Sequence, residues 1–115
     1  MRKPILIVDD EPDIREMLRY VFEDEGYDVE LAEDGQQALE ALERLEPCMM
    51  ILDLRMPVLD GVAVLERMRN HSEWKHIPVI VSTSDPSRAP PGVLIIRKPV
   101  DLKLLLEAVK GRCRP

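Results

Sequence analysis

The sequence predicts an α/β fold, a parallel sheet wrapped by helices. Three observations carry this. Short, continuous apolar runs such as Ile5-Leu6-Ile7-Val8 and Met49-Met50-Ile51-Leu52 read as strands buried on both faces. Longer segments place their apolar residues three and four apart, the period of a helix with one buried face. The two kinds of segment alternate along the chain, as a parallel sheet with crossover helices requires.

Each element follows in order. After the Ile5–Val8 run, Ile14, Met17, Leu18, Val21 and Phe22 stripe a first helix, with Pro12 suited to its first turn and Gly26 to its stop. Tyr27 to Ala32 alternates like a strand. Ala38, Ala41, Leu42 and Leu45 stripe a second helix, and the Met49–Leu52 run supplies a third strand, its methionines being core residues. Val62, Leu65 and Met68 mark a third helix after Asp60-Gly61. Val79-Ile80-Val81 and Val93-Leu94-Ile95-Ile96 read as the last two strands. Leu102, Leu105, Leu106 and Val109 stripe a final helix ended by Gly111.

One link breaks the alternation. Nine residues, Ser84 to Gly92, separate Thr83 from Val93, and three of them are proline. A regular helix is excluded there. A return past a five-residue strand covers about 17 Å along the sheet and about 5 Å across it. Nine extended residues reach roughly 30 Å, so an extended crossover suffices.

The 115 residues suit one domain, expected over 1–115. With 45% hydrophobic and 33% charged residues, the chain is not of the disordered class. A net charge of -6 argues against direct nucleic-acid binding. No apolar run approaches the roughly 20 residues of a membrane helix. The opening Met1-Arg2-Lys3-Pro4 precedes an apolar run too short for a signal peptide, so a cytoplasmic location is expected. Cys48 and Cys113 fit no metal spacing, and in a reducing compartment a disulfide framework is not expected.

The polar residues of interest follow the strands. Asp9 and Asp10 come directly after the first, Asp53 after the third, Thr83 after the fourth and Lys98 after the fifth. Carboxyl ends of strands are where open α/β sheets bind ligands. If the first and third strands are neighbours, Asp9, Asp10 and Asp53 share one pocket. Their mutual repulsion then calls for a hard divalent cation, and Mg²⁺ suits a site that keeps waters. Lys98 adds a point charge for a phosphate oxygen and Thr83 a neutral hydroxyl. A carboxylate so surrounded is a nucleophile for a phosphoryl group. Taken singly, each residue has an ordinary reading. Asp9 and Asp10 suit a helix cap, Asp53 a turn, Thr83 a strand end, and Lys98-Pro99 a turn with a cis or trans bond.

Four stretches together carry a resemblance over essentially the whole chain. They are Ile5-Leu6-Ile7-Val8-Asp9-Asp10-Glu11, Asp53-Leu54-Arg55-Met56-Pro57-Val58-Leu59-Asp60-Gly61, Pro78-Val79-Ile80-Val81-Ser82-Thr83 and Lys98-Pro99. The sequence resembles the receiver domain of two-component response regulators. That resemblance implies a flavodoxin-like, doubly wound, five-stranded parallel sheet in the order 2-1-3-4-5. The order is known from the family's own chemotaxis member and is carried over from it. The resemblance further implies that Asp53 is the phosphoacceptor of a phosphorelay. Asp10 and Asp53 would bind Mg²⁺ directly, Asp9 mainly through water, and the backbone carbonyl of Arg55 would be a further ligand. Thr83 would be the switch hydroxyl, Lys98 would pair with the phosphoryl group, and Pro57 and Gly61 would shape the loop after the acceptor. The implied donor is a sensor histidine kinase or a histidine phosphotransfer protein, and a downstream protein of unspecified kind reads the signal. Slow autodephosphorylation, without a separate enzymatic substrate, is part of the same expectation.

Two departures stand out. The helix that receivers carry between strands four and five is missing or replaced by the proline-rich segment. The position three before Lys98, commonly aromatic, is Ile95. An altered output face is therefore expected, with movement of residues 84–92 as the readout. Arg55 and Asp85, two residues past the acceptor and the switch threonine, are candidates for tuning phosphoryl lifetime. Arg55 would either shield the phosphoryl group or pair with Asp85. A phosphohydrolase with an aspartate nucleophile would need a carboxylate where Arg55 stands. The remaining alternative is a pseudo-receiver, an interaction module independent of phosphorylation. His71 and His76, beside Trp74, read as solvent-facing, and the charged face of the first helix, with Arg15, Glu16, Arg19 and Glu23, as solvated.

Overall fold

The computed structural model describes residues 3–115; Met1 and Arg2, where the sequence places the start of the domain, lie outside the described residues. The chain runs β1 (Ile5–Val8), α1 (Pro12–Asp24), β2 (Val29–Ala32), α2 (Gly35–Arg44), β3 (Met49–Leu52), α3 (Gly61–Arg69), β4 (Val79–Thr83), β5 (Leu94–Arg97) and α4 (Leu102–Lys110). All pairings are parallel, and the sheet order is β2-β1-β3-β4-β5. This is the flavodoxin-like, doubly wound arrangement. Between β4 and β5 there is no α-helix, only a single 3₁₀ turn at Pro86–Arg88.

Each helix starts where a side chain can serve its free N–H groups. Asp34, Asp60 and Asp101 cap α2, α3 and α4 by accepting from the N–H groups of Gln37, Ala63 and Leu104. Gln37 also reaches back to the Glu33 N–H. Helix α1 has no side-chain cap and opens on Pro12, whose missing N–H needs no partner. It stops before Gly26, whose φ of 93° suits the left-handed turn. Gly111 at the end of α4 keeps a right-handed φ of -69°, so that helix does not finish in a left-handed cap.

The sheet divides the core in two. Leu6, Val8, Met50, Leu52 and Val81 face α2 and α3, where Ala38, Leu42, Val64 and Leu65 meet them. Ile5, Ile7, Met49, Ile51, Ile80 and Ile96 face Leu18, Phe22, Leu105 and Val109 of α1 and α4. Of the first helical stripe, Leu18 and Phe22 are buried, whereas Met17 is largely exposed. The strand expected over 27–32 begins at Val29. Tyr27 is instead buried in the turn before it, and its ring packs edge-on against Phe22.

The cysteines correct a sequence expectation. Cys48 and Cys113, 65 residues apart, form a disulfide with Cα atoms 5.9 Å apart. Sequence spacing did not show this because the approach is tertiary: α4 lies across the sheet and returns its C-terminal end to the start of β3. His71 is a second correction. It is half-buried and stacks on Trp74 with ring centroids 3.8 Å apart, whereas His76 is exposed.

Candidate functional site

Strand register builds the site. Val8 pairs with Leu52, so the residues that follow, Asp9 and Asp53, emerge side by side. Thr83 pairs with Arg97, which sets Lys98 next to Thr83 at the same edge. Backbone bonds hold these ends: Asp53 N–H to Val8 O at 2.9 Å, and Lys98 N–H to Thr83 O at 2.9 Å. The order places β1 beside β3 at the point where the winding reverses, the ligand crevice of such sheets.

Carboxylate oxygens of Asp9, Asp10 and Asp53 lie within 4.8 Å of one another. Asp9 and Asp53 are buried, and Asp10 is exposed. Lys98 Nζ bridges them, 3.0 Å from Asp9 Oδ2 and 3.3 Å from Asp53 Oδ2, with Glu11 Oε1 at 3.7 Å. The Lys98-Pro99 peptide is cis. Burial, and then the charge of Asp9, raise the Asp53 carboxyl above its ordinary value; Lys98 and the Arg55 N–H oppose this. Burial pulls the Lys98 ammonium down, but its bonds and charge pairing with Asp9 and Asp53 win, and its pKa is raised. Three carboxylates against one lysine leave an excess of negative charge, with Asp9 and Asp53 buried and Asp10 open to solvent. Every donor is a hard oxygen, so the set fits a divalent cation such as Mg²⁺.

The loop after Asp53 is tightly built. A Cβ on Gly61 would stand 2.3 Å from the Asp53 carbonyl oxygen, so only glycine lets α3 start this close. Val58, exposed, has a φ of 68°, an uncommon conformation for a β-branched residue. Asp60 caps α3 through Oδ1 and pairs with Arg88 Nη2 through Oδ2, at 3.2 Å.

That ion pair is one of three ties on the 84–92 connector. Thr83, fully buried, accepts at Oγ1 from the Asp85 N–H at 3.1 Å. Arg69 Nη2 donates to the Pro91 carbonyl at 3.0 Å. The connector thus runs along α3, with Ala89 packed on the core. Asp85 bonds to Ser87, which lowers its pKa. The Arg55 side chain lines a cleft of about 400 Å³ with Asp10, Met56, Pro57, Asp60 and Arg88. Ile95 is exposed on the edge strand, since no helix covers it.

Glu11, Arg15, Asp60 and Arg88 were not singled out as site residues by the sequence. Arg15, read there as solvated, donates to the Asp9 carbonyl at 2.8 Å and braces the acidic turn. Only the i, i+6 spacing across a helix start hints at this. The Asp60–Arg88 pair, 28 residues apart, has no local signal.

The family model of the response regulator receiver domain matches residues 5–110. Sporulation initiation phosphotransferase F of Bacillus subtilis is 35% identical over 117 aligned positions, covering 96% of this chain and 93% of that protein. The alkaline phosphatase synthesis transcriptional regulatory protein PhoP of the same organism is 45% identical over 84 residues, which are 73% of this chain but 34% of PhoP. The chain likewise spans 36% of the response regulator MtrA of Mycolicibacterium smegmatis, so it corresponds to about a third of such relatives. Among solved structures, a response regulator of Chloroflexus aurantiacus superimposes with a TM-score of 0.88 at 30% identity, covering 96% of this chain and 97% of that one. TrrA of Thermotoga maritima, solved with Mg²⁺-BeF, gives 0.84 at 32% identity, covering 95% and 97%. The chain belongs to the response regulator receiver domain family.

Proposed function

We propose that the chain is a signalling phosphoacceptor that takes a phosphoryl group onto Asp53 in a Mg²⁺-dependent reaction. The observation that carries this is the convergence of Asp9, Asp10 and Asp53 within 4.8 Å, with Lys98 Nζ bridging Asp9 and Asp53. The cation would be held by Asp10 and Asp53, by the Arg55 backbone carbonyl and, through water, by Asp9. When bound, it neutralises charge on the phosphoryl oxygens. The TrrA structure, solved with Mg²⁺-BeF at 32% identity, supports this reading.

The chain's own residues do the rest. An Asp53 carboxylate oxygen attacks phosphorus as the bond to the donor breaks, and the leaving group keeps the electron pair. The product is an acyl phosphate. Lys98 pairs with the phosphoryl oxygens as they arrive. Arg55 and Arg88 on the adjoining cleft present two guanidinium groups to an anionic donor, a phosphohistidine of a kinase or phosphotransfer protein. Thr83 turns its hydroxyl to the phosphoryl group and in doing so releases the Asp85 N–H. That loosens the connector, which takes the place of the usual output helix.

A pseudo-receiver reading draws on the absent helix and exposed Ile95. Transfer of labelled phosphate from a phosphorylated sensor kinase separates the two. Transfer that needs Mg²⁺ and is lost in Asp53→Asn supports the phosphoacceptor. No transfer from any donor supports the interaction module.

A further inference from the structure

We propose that Cys48 and Cys113 form a reversible dithiol–disulfide pair, which fastens the C-terminal end of α4 to the start of β3. They are the only cysteines of the chain, and a tertiary approach across 65 residues brings their Cα atoms to 5.9 Å. The family model's match ends at residue 110, three residues before Cys113. The last turn is also held without sulfur. The Tyr27 hydroxyl donates to the Cys113 carbonyl at 2.8 Å, and the Cys113 N–H donates to Val109 O at 2.7 Å.

The two sulfurs differ in access. Cys113 is 3% exposed. Cys48 is half-buried and lines an open cleft of about 360 Å³ with Lys3, His76 and Arg112. An incoming thiolate therefore meets Cys48, in a cleft lined by the cations Lys3 and Arg112 and the carboxylates Glu46 and Glu73, with Lys3 Nζ 3.1 Å from Glu46 Oε1. The reductant is a dithiol. Its first thiolate attacks Cys48 Sγ; the disulfide breaks, and Cys113 Sγ leaves with the electron pair and takes a proton. The second thiol then attacks the reductant's own sulfur in the mixed disulfide and releases Cys48 as a thiolate, which is protonated in turn. Two electrons and two protons pass to the protein, and the reductant leaves as its disulfide. Reduction leaves residues 111–115 held by the Tyr27 hydrogen bond, by backbone bonds of Gly111, Arg112 and Cys113 to the last turn of α4, and by packing. Asp53 stands at the opposite end of β3, so its chemistry does not depend on this pair.

The test equilibrates the full chain in glutathione buffers of graded ratio, or with dithiothreitol, and traps thiols with N-ethylmaleimide for intact mass. Amide exchange is measured in both states, beside Cys113→Ser. Expected are molecules with no trapped thiol or with two, interconverting reversibly. Exchange across 111–115 rises at least about tenfold on reduction, and Cys113→Ser matches the reduced form. Both thiols trapped in oxidising buffer, a bridge that resists dithiothreitol in the folded chain, or identical exchange in the two states would each overturn the proposal. Phosphoryl transfer to Asp53 is scored separately, so its failure is not confused with failure here.

Discussion

The Thr83 hydroxyl oxygen accepts the Asp85 N–H at 3.1 Å. The hydroxyl beside the acceptor edge is thus also the first anchor of the connector. Thr83→Ala removes that acceptor and leaves a half-buried N–H without it, a loss of about 1–2 kcal/mol. Urea unfolding is expected to show this, and amide exchange over 85–91 to quicken without any phosphoryl group. An unchanged connector would mean that the Arg88 and Arg69 ties hold it alone.

Lys98 is the cation nearest two buried carboxylates. Lys98→Ala leaves them unpaired and is expected to cost about 3 kcal/mol at neutral pH without divalent cation. Added Mg²⁺ recovers more stability in this variant than in the parent, read as the shift in denaturation midpoint.

Two loop positions have opposite expectations. Val58→Gly removes the strain of a β-branched residue at positive φ and stabilises by about 1 kcal/mol. Gly61→Ala drives a Cβ into the Asp53 carbonyl and the Leu54 Cα, and costs about 2 kcal/mol or more. Because that clash displaces the acceptor, the rate of Asp53 phosphorylation falls with it.

The raised Asp53 pKa sets a pH dependence. An unfolded Asp titrates near 3.8 and the folded one higher. Between those values the folded chain holds a proton that the unfolded chain has lost. Stability from this group is therefore lost as pH rises through that window, and the ionised carboxylate stays unfavourable at neutral pH. Lys98 stays charged throughout, its pKa being raised. Asp53→Asn is expected to melt higher than the parent at neutral pH in EDTA, the gap closing toward about pH 4. Saturating Mg²⁺ reverses the ranking, since a ligand at a hundred times its Kd adds about 2.7 kcal/mol to the form that binds it.

Much of this was legible in the sequence. Continuous apolar runs identified β1 and β3, and the polar residues directly after the strands identified the edge. The Pro86, Pro90 and Pro91 triplet excluded a helix before β5, as found. What the sequence withheld is tertiary. Arg88 meets Asp60, Arg15 meets the Asp9 carbonyl, and Cys48 meets Cys113 only once the sheet brings distant segments together. Tyr27 alternates like a strand residue but is buried in a turn, because its ring fills the space beside Phe22 and its hydroxyl finds Cys113.

The most direct test incubates the chain with Mg²⁺ and a small acyl phosphate and reads intact mass, with Asp53→Asn alongside. A gain of one phosphoryl group, about 80 Da, in the parent alone and only with Mg²⁺ is the expected result. An equal gain in Asp53→Asn, or none in the parent, would contradict Asp53 as the acceptor.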